Sequence, residues 1–227
     1  MTSQRGGSRR RSASMIAVLI LLAAFSTLVI YAGFGYVDAL RESAGLKERA
    51  DALISARRGP DDLSQGKLQQ LLRVEDPAFW QHGGVDVQTD GAGLTTLTQS
   101  LSKRLAFKRF KSGLPKIRQT TYAWGLEARL SKKQILALFL DTAQLGRGAH
   151  GWMQGIFATS VQLYGKQPAE LTDRQWHRLI AVLIAPKEFD LLAPDNRLDD
   201  RVRRIERLLG GKCSPQGERD VWLTGCG

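Results

Sequence analysis

The chain has 227 residues and a formal net charge of +11 at pH 7, which leaves room for one domain with an appendage and excludes a large multidomain enzyme. Four N-terminal arginines supply four of the eleven charges, and residues 1–36 contain no acidic side chain, so the remaining residues still carry a net charge of +7. The positive charge is therefore not confined to the terminus, and it predicts an anionic partner for the globular part.

The first 36 residues predict a membrane anchor. Residues 1–14 form a basic tail rich in Gly, Ser and Arg, which we expect to be disordered and cytoplasmic. Residues 15–36 carry no charge, and at about 1.5 Å per residue they reach roughly 33 Å, enough to cross a ~30 Å hydrocarbon core. A cleaved signal peptide is the alternative. The sequence favours an uncleaved anchor, because the apolar run exceeds a typical signal peptide's and no small-x-small site ends it.

Residues 37–66 are predicted to form a juxtamembrane stalk and linker. Apolar side chains recur every third or fourth residue over residues 37–58, which predicts a helix that continues out of the membrane, and Gly59-Pro60 ends it. The globular domain is expected over residues 67–210, and residues 211–227 form a C-terminal tail.

The segment over residues 71–86 carries the clearest candidate for chemistry. Its apolar spacing predicts a helix that ends at Glu75 and Asp76, because Pro77 cannot continue the backbone hydrogen bonds. A carboxylate at a helix end beside aromatic rings can have its pKa raised toward the working pH, as a general acid or base requires. From the residues alone, a solvated or capping pair of acids is the alternative.

This segment resembles the first motif of the peptidoglycan glycosyltransferases, the transglycosylase domains of penicillin-binding proteins and of monofunctional cell-wall polymerases. All fixed positions of that motif are filled here, by Glu75, Asp76, Phe79, His82, Gly84 and Asp86. The resemblance implies that Glu75 is catalytic, as the general base. It also implies that Asp76, Phe79 and His82 bind substrate.

Residues 93–104 are similar to the family's second motif, Gly-x-Ser-Thr-Ile-Thr-Gln-Gln followed by a lysine, which here begins at Gly93. Hydroxyl side chains at the start of this segment predict the N-cap of a helix. The resemblance implies that Thr96, Gln99 and Lys103 bind substrate, because a helix N-terminus and a lysine together can hold a pyrophosphate. An ordinary capped helix is the alternative.

Residues 105–118 interleave basic side chains with Phe107 and Phe110. Such a pattern fits nucleic acid, a membrane surface or a solvated face. Because the domain is predicted to be exported beside a membrane, the sequence favours anionic lipid headgroups or a lipid pyrophosphate and disfavours nucleic acid. Lys116 and Arg118 are the substrate-binding candidates that the resemblance implies.

The third motif departs from the family pattern, Arg-Lys-x-x-Glu on a helix. Pro115 stands where the family has arginine, and Gln119 stands at the position of the second catalytic glutamate. Glutamine keeps the shape of glutamate but carries no charge and cannot exchange a proton. We predict no cofactor and no metal site, and the missing carboxylate leaves open whether a divalent cation takes part.

The remaining segments predict mostly helices. Residues 131–141 resemble the fourth motif, with Ala137 in place of its glutamate. Further helices are expected over residues 151–164, 172–184 and 201–209, with a flexible turn at Gly146 and Gly148.

The two cysteines of the chain, Cys213 and Cys226, lie thirteen positions apart. In an oxidising compartment they are expected to form a disulfide worth roughly 3 kcal/mol, and no neighbouring histidine supports a metal site.

The sequence thus predicts a mainly α fold, with a lysozyme-like glycosyltransferase domain behind a single N-terminal transmembrane helix. The resemblance implies that the protein polymerises lipid II into glycan strands at the bacterial inner membrane, with its domain on the periplasmic side. Its implied partners are lipid II, the nascent glycan strand, membrane lipids and other cell-wall synthesis proteins. Two alternatives stay open: a degenerate relative that binds lipid II or a cell-wall synthase, and a lysozyme-like hydrolase.

Overall fold

A computed structural model of the chain describes residues 5–91, 95–111, 113–149 and 151–227, with side chains from residue 14 onward. Gly93, where the second motif begins, lies outside the described residues. The described helices and strands are, in order, α1 (Arg5–Ser55), α2 (Gln65–Glu75), α3 (Leu97–Ala106), α4 (Pro115–Glu127), α5 (Lys132–Thr142), β1 (Gln144–Gly148), β2 (Gly151–Gln154), α6 (Ile156–Tyr164), α7 (Asp173–Val182) and α8 (Asn196–Leu209). The predicted mainly α fold is confirmed.

Helix α1 is continuous over 51 residues and contains both the predicted anchor and the helical part of the predicted stalk. The helix bounds begin at Arg5, and residues 1–4 lie outside the described part, so the expected disorder of the basic tail over residues 1–14 stays a prediction. Large apolar side chains of the anchor face outward, and Leu21 is 69% exposed. Among the described residues, one helix is long and apolar enough to cross a membrane, with a mean hydropathy of 2.6, which fits a single-pass anchor.

The C-terminal half of α1 packs directly on α4 and α5. Gly125 of α4 permits a close approach, because a Cβ there would lie 2.6 Å from the Cβ of Ala39 and 2.9 Å from the carbonyl oxygen of Tyr36. The Thr121 hydroxyl donates to the carbonyl of Ala32 over 2.6 Å. Residue 32 belongs to the predicted transmembrane stretch, so the domain contacts the last turns of the anchor as well as the segment predicted as a stalk.

Charged pairs fix the register between α1 and the domain. Arg49 and Arg58 each donate to the carboxylate of Asp141 at the end of α5, over 2.6 and 2.7 Å. Arg118 of α4 pairs with Asp38 over 2.7 Å. These contacts hold residues 38–58 against the domain.

Helix α5 lies at the centre of the core and contacts α1, α3, α4 and α6. Ile135, Leu136, Leu138 and Leu140 have no exposed surface, which confirms the buried helix that the apolar spacing predicts. Ser131 caps this helix by accepting from the backbone N–H of Gln134. Helices α7 and α8 pack on each other beside α2.

The prediction of a helix over residues 151–164 is wrong for its first residues. Residues 144–148 and 151–154 pair as two antiparallel strands in which Arg147 is opposite Trp152. Gly151 and Gly155 have φ of +116° and +82°, a region that interrupts a right-handed helix, so α6 begins only at Ile156. Glycines that predicted a flexible turn therefore belong to an ordered strand.

The C-terminal tail packs against α8 and against the loop that follows α2. Cys213 and Cys226 form a disulfide with their Cα atoms 5.3 Å apart. Asp220 organises the enclosed loop, since it accepts from the backbone N–H groups of Gln216 and Gly225, each over 3.0 Å, and from the backbone N–H and hydroxyl of Thr224. These hydrogen bonds lower the pKa of Asp220 to about 2 against the opposing effect of its burial.

Candidate active site

Glu75 is the last residue of α2, and Asp76 caps the C-terminus of that helix. The pKa of Glu75 is raised from 4.5 to about 7, chiefly by burial and also by the neighbouring charge of Asp76, against the opposing charges of Arg201 and Arg104. A carboxylate with this pKa exists in both protonation states near neutral pH. It can therefore accept or donate a proton during a reaction.

Two arginines from distant helices stand near Glu75. Arg104 lies in α3 and Arg201 in α8, and burial lowers the pKa of each to about 10, while the negative charge of Glu75 partly offsets that effect. Both guanidinium groups therefore stay charged at neutral pH. Sequence reasoning missed both, although an arginine at position 201 falls on the apolar face of α8 between Leu198 and Ile205, an unusual place for a charge.

The two arginines differ in how the protein holds them. Arg104 donates to the hydroxyls of Thr142 and Ser100 over 3.1 and 2.8 Å, and its guanidinium lies 4.8 Å from the ring centroid of Phe139. Arg201 is only 3% exposed, yet its Nε and Nη1 have no hydrogen-bond partner among the described residues. Arg104 is thus held by two hydrogen bonds and leaves only Nη2 without a partner among the described residues, whereas Arg201 leaves both Nε and Nη1 without one.

Asp76 joins the loop after α2 to the start of α3. Its carboxylate is completely buried, accepts from the backbone N–H of Leu97 over 2.8 Å, and lies 2.9 and 3.1 Å from Nε2 of His82. The N–H of Gly84 donates to Nδ1 of His82, which leaves the ring proton on Nε2 to be donated to Asp76. Both side chains are therefore committed to contacts within the protein.

Three further predicted binding residues of the first two motifs, Phe79, Thr96 and Gln99, are buried as well. Phe79 has no exposed surface and lies under the ammonium group of Lys132, 4.4 Å from its ring centroid. Thr96 and Gln99 form a reciprocal capping box at the start of α3, and the Thr96 hydroxyl also donates to Gly84 O over 2.7 Å. These side chains leave little surface for a ligand. Their position favours a role in holding the loop and helix that surround Glu75.

Gln119, at the predicted second catalytic position, is 2% exposed, and its side-chain amide donates to the backbone carbonyl of Gln99 over 2.7 Å. The Gln99 amide in turn donates to the Thr120 hydroxyl. Only amide and hydroxyl groups take part in these contacts, so the donor set around Gln119 does not fit a hard divalent cation, which prefers carboxylates. Within the described residues, no group of three or more His, Cys, Asp or Glu side chains could hold a metal ion.

Glu127, which the sequence analysis did not single out as a site residue, links three segments. Its Oε1 accepts from the Thr98 hydroxyl over 2.6 Å and from Lys132 over 2.8 Å, and Lys132 also donates to the carbonyl of His82. The ion pair neutralises Glu127. In the sequence, the only indication of this role is that the helix carrying the third motif continues as far as Glu127.

The three predicted binding cations lie in different surroundings. Lys103 is exposed, and its ammonium group lies 5.4 Å from the ring centroid of Phe110; partial burial, together with repulsion from Arg104, lowers its pKa. Lys116 donates to the Thr95 hydroxyl over 3.3 Å. Arg118 pairs with Asp38 of α1, as described above. Of the three, Lys103 is the one that faces a large groove.

That groove has a volume of about 1350 Å³ and runs between α3, the hairpin and the segment after α7. Its lining is strongly basic, with Arg49, Lys103, Arg104, Lys108, Arg109, Lys111, Arg147 and Lys187. Phe107, Phe110 and Trp152 provide apolar surface between these charges. Glu75 is not among the described residues that line it, and Arg104 connects the groove to Glu75. The groove can therefore receive an anionic ligand with apolar parts next to a potential general base.

Comparison with known proteins agrees with these features. A family model described as Transglycosylase matches residues 46–209. A biosynthetic peptidoglycan transglycosylase of Acinetobacter baumannii is 29% identical over 171 residues, covering 69% of this chain and 73% of that protein. Penicillin-binding protein 1C of Escherichia coli is 36% identical over 188 residues, covering 72% of this chain and 23% of that protein. Because the family model covers most of the chain, the protein belongs to the transglycosylase family.

Proposed function

We propose that the protein is a membrane-anchored peptidoglycan glycosyltransferase that polymerises lipid II, with Glu75 as its general base. Membership of the family, and relatives named peptidoglycan transglycosylases, support glycosyl transfer as the general activity. The single observation that carries the assignment of Glu75 is its pKa of about 7 at the end of α2, beside two buried arginines.

In this proposal, the ionised carboxylate of Glu75 takes the proton from the 4-hydroxyl of the acceptor sugar. The acceptor oxygen forms a bond to the anomeric carbon of the donor, and the bond from that carbon to the lipid pyrophosphate breaks with its electron pair. Attack from the face opposite the leaving group inverts the anomeric centre. A general base contributes typically 10²–10⁴-fold to such a step.

The departing lipid pyrophosphate carries negative charge, so cations near it lower the barrier. Lys103 and Arg104 are the best-supported candidates, because both line the basic groove and Arg104 also acts on Glu75. Arg118 is less suited, since its guanidinium is paired with Asp38. Asp76, Phe79, His82, Thr96 and Gln99 would act by holding the site, because each is buried and bonded within the protein.

The anchor would present this groove to a lipid-linked substrate at the membrane surface. The hydrogen bond from Thr121 to Ala32 places α4 beside the end of the apolar stretch, close to where the lipid pyrophosphate would lie. The arginines before the anchor favour a cytoplasmic N-terminus, and hence a periplasmic domain. Membrane lipids and the nascent glycan strand would then be its partners, with other cell-wall synthesis proteins as further candidates.

One observation favours the second candidate, a non-catalytic relative that binds lipid II or a cell-wall synthase. Gln119 is not merely a neutral replacement, because its amide makes a hydrogen bond that a glutamate could not make. A chain adapted to a neutral residue at this position need not retain the family's chemistry.

The deciding experiment gives the detergent-solubilised full chain labelled lipid II and measures glycan length on a gel. The unaltered chain is compared with Glu75→Gln, Gln119→Glu and a control, Glu48→Gln, whose side chain is exposed on α1. We expect polymer from the unaltered chain and the control, and a loss of 10²–10⁴-fold in Glu75→Gln. Polymer from Gln119→Glu alone would establish the non-catalytic candidate, and shortening of added glycan strands would establish a hydrolase.

A further inference from the structure

A second, smaller cavity lies between α8 and the C-terminal tail, and it shares Glu188 and Phe189 with the lining of the basic groove. It has a volume of about 340 Å³, and its lining includes Phe189, Arg201, Arg204 and Trp222. We call it the tail cavity. The wall that Trp222 forms lies beyond residue 209, where the match to the transglycosylase family ends. The family match therefore covers six of the seven lining residues but not Trp222.

The tail holds its wall of the cavity in a defined position. The disulfide closes the loop that contains Trp222, and Asp220 bonds that loop internally. The Trp222 carbonyl accepts from Nη1 of Arg204 over 3.3 Å, and its ring packs edge-on against Phe189 with centroids 6.1 Å apart. The cavity is thus lined by two aromatic rings whose geometry the covalent loop maintains.

Arginines outnumber carboxylates in the lining of the tail cavity, three to two. Both acidic residues in its lining already have partners: Glu188 pairs with Arg197 over 2.7 Å, and Asp200 pairs with Arg203. Arg204 forms no ion pair within the described residues. The lining by itself therefore carries a net positive charge, while the carboxylates of Glu75 and Asp220 act on Arg201 from outside it.

Arg201 supplies the observation that points to a ligand. Its side chain lines the tail cavity although the residue is only 3% exposed. Its Nε and Nη1 lack any hydrogen-bond partner among the described residues. A buried charged donor without a partner is costly, and native proteins rarely leave one unsatisfied. An oxyanion in the cavity would supply the missing acceptors through charge-assisted hydrogen bonds.

We propose that the tail cavity binds a carboxylate or phosphate group, with Arg201 as its principal hydrogen-bond donor and with the carrier of that group packed against Trp222. Two sources fit this chemistry, a free phosphate and a carboxylated sugar. The cavity is large enough for one sugar-sized group, since ligand pockets begin at about 300 Å³. This inference concerns binding alone, so it stands or falls independently of glycan polymerisation.

The test is calorimetric titration of the full chain in detergent micelles, at constant ionic strength, with inorganic phosphate, N-acetylmuramic acid and neutral N-acetylglucosamine. We expect at least one of the two anions to bind and the neutral sugar to bind at least tenfold more weakly. Arg201→Gln should weaken anion binding at least tenfold. Arg207→Gln is the matched control, because Arg207 is exposed on the same helix and does not line the tail cavity.

A variant with an intact Arg201 covers the case in which Arg201→Gln does not fold, as judged by thermal unfolding. Trp222→Ala should weaken binding of N-acetylmuramic acid and leave binding of phosphate unchanged. Where phosphate alone binds, Arg204→Gln should weaken its binding, because Arg204 is another cation of the lining. Absence of anion binding to the unaltered chain would overturn the proposal. Equal binding to folded Arg201→Gln, or equal binding of the neutral sugar, would overturn it too.

Discussion

The side-chain amide of Gln119 donates to the backbone carbonyl of Gln99 over 2.7 Å, and this hydrogen bond ties α4 to α3 in the interior. The residue at the family's second glutamate position is thereby part of the packing around the site. A carboxylate at position 119 could not donate to that carbonyl, and its charge would be buried.

We therefore expect Gln119→Glu to destabilise the protein at neutral pH by about 2 kcal/mol, because it removes a buried hydrogen bond and adds a buried charge. This corresponds to a fall in melting temperature of roughly 4–8 °C for a chain of this size. Thermal unfolding in detergent, followed by circular dichroism, measures the change. Gln69→Glu, an exposed position on α2, is the control, and a variant at position 119 as stable as this control would contradict the structural role of the amide.

The pKa of Glu75 predicts how glycosyl transfer depends on pH. Since a general base must be deprotonated, kcat/KM should rise with pH through about 7, the pKa of this carboxyl group. The positive charge of Arg201 holds the pKa of Glu75 down, so Arg201→Gln should move this rise to higher pH. A pH–rate profile for each chain tests both statements. A profile that is flat between pH 6 and pH 8 would exclude Glu75 as the group that must lose a proton.

Burial of Glu75 also predicts that its ionised form, which catalysis requires, lowers the free energy of unfolding. Its pKa rises from 4.5 to about 7 on folding, so the stability that proton binding contributes is fully present below pH 4.5 and is lost as the pH rises through 7. Glu75→Gln should consequently be more stable than the unaltered chain at pH 8, by up to about 3 kcal/mol, with little difference at pH 4.5. Denaturant unfolding at the two pH values measures this, and Glu48→Gln should show no such pH dependence.

Asp76 should matter for stability more than any exposed acid. Its buried carboxylate accepts from the backbone N–H of Leu97 and from the ring of His82, so Asp76→Asn leaves at least one of these donors facing an amide NH₂ group. Loss of a hydrogen bond to a charged group costs about 2–3 kcal/mol. Thermal unfolding beside Asp90→Asn, an exposed change in the following loop, provides the comparison; equal stabilities would show that Asp76 does not hold the loop to α3.

The disulfide between Cys213 and Cys226 should stabilise the tail against unfolding. Closing a loop over a sequence separation of 13 is worth roughly 3 kcal/mol in the chain-entropy description. The double change Cys213→Ser and Cys226→Ser should therefore lower the melting temperature and increase proteolysis after residue 211. Mild reduction of the unaltered chain should reproduce both effects, and protease resistance equal to that of the oxidised chain would show that the loop is held without its covalent bond.

Local patterns in the sequence were sufficient for most helices. A hydroxyl residue placed just before a run of helically spaced apolar residues predicts an N-cap, and Thr96, Ser131 and Thr172 do cap α3, α5 and α7. Such caps can be predicted because they depend on atoms only three residues apart. The hairpin over residues 144–154 was missed, since its short strands are rich in glycine and their pairing depends on a partner strand. The helix boundary at Gly155 likewise follows from a positive φ that the residue type permits but does not dictate.

By itself, the sequence determined the anchor, the order of the helices and the presence of a carboxylate at the end of α2, because these depend on composition and on neighbours along the chain. Only the tertiary structure decided that Arg104 and Arg201 act on Glu75 and that Gln119 bonds to Gln99. It also decided which motif residues are buried. Arg201 lies more than a hundred positions from Glu75, and charges so distant along the chain interact only when the helices that carry them pack together.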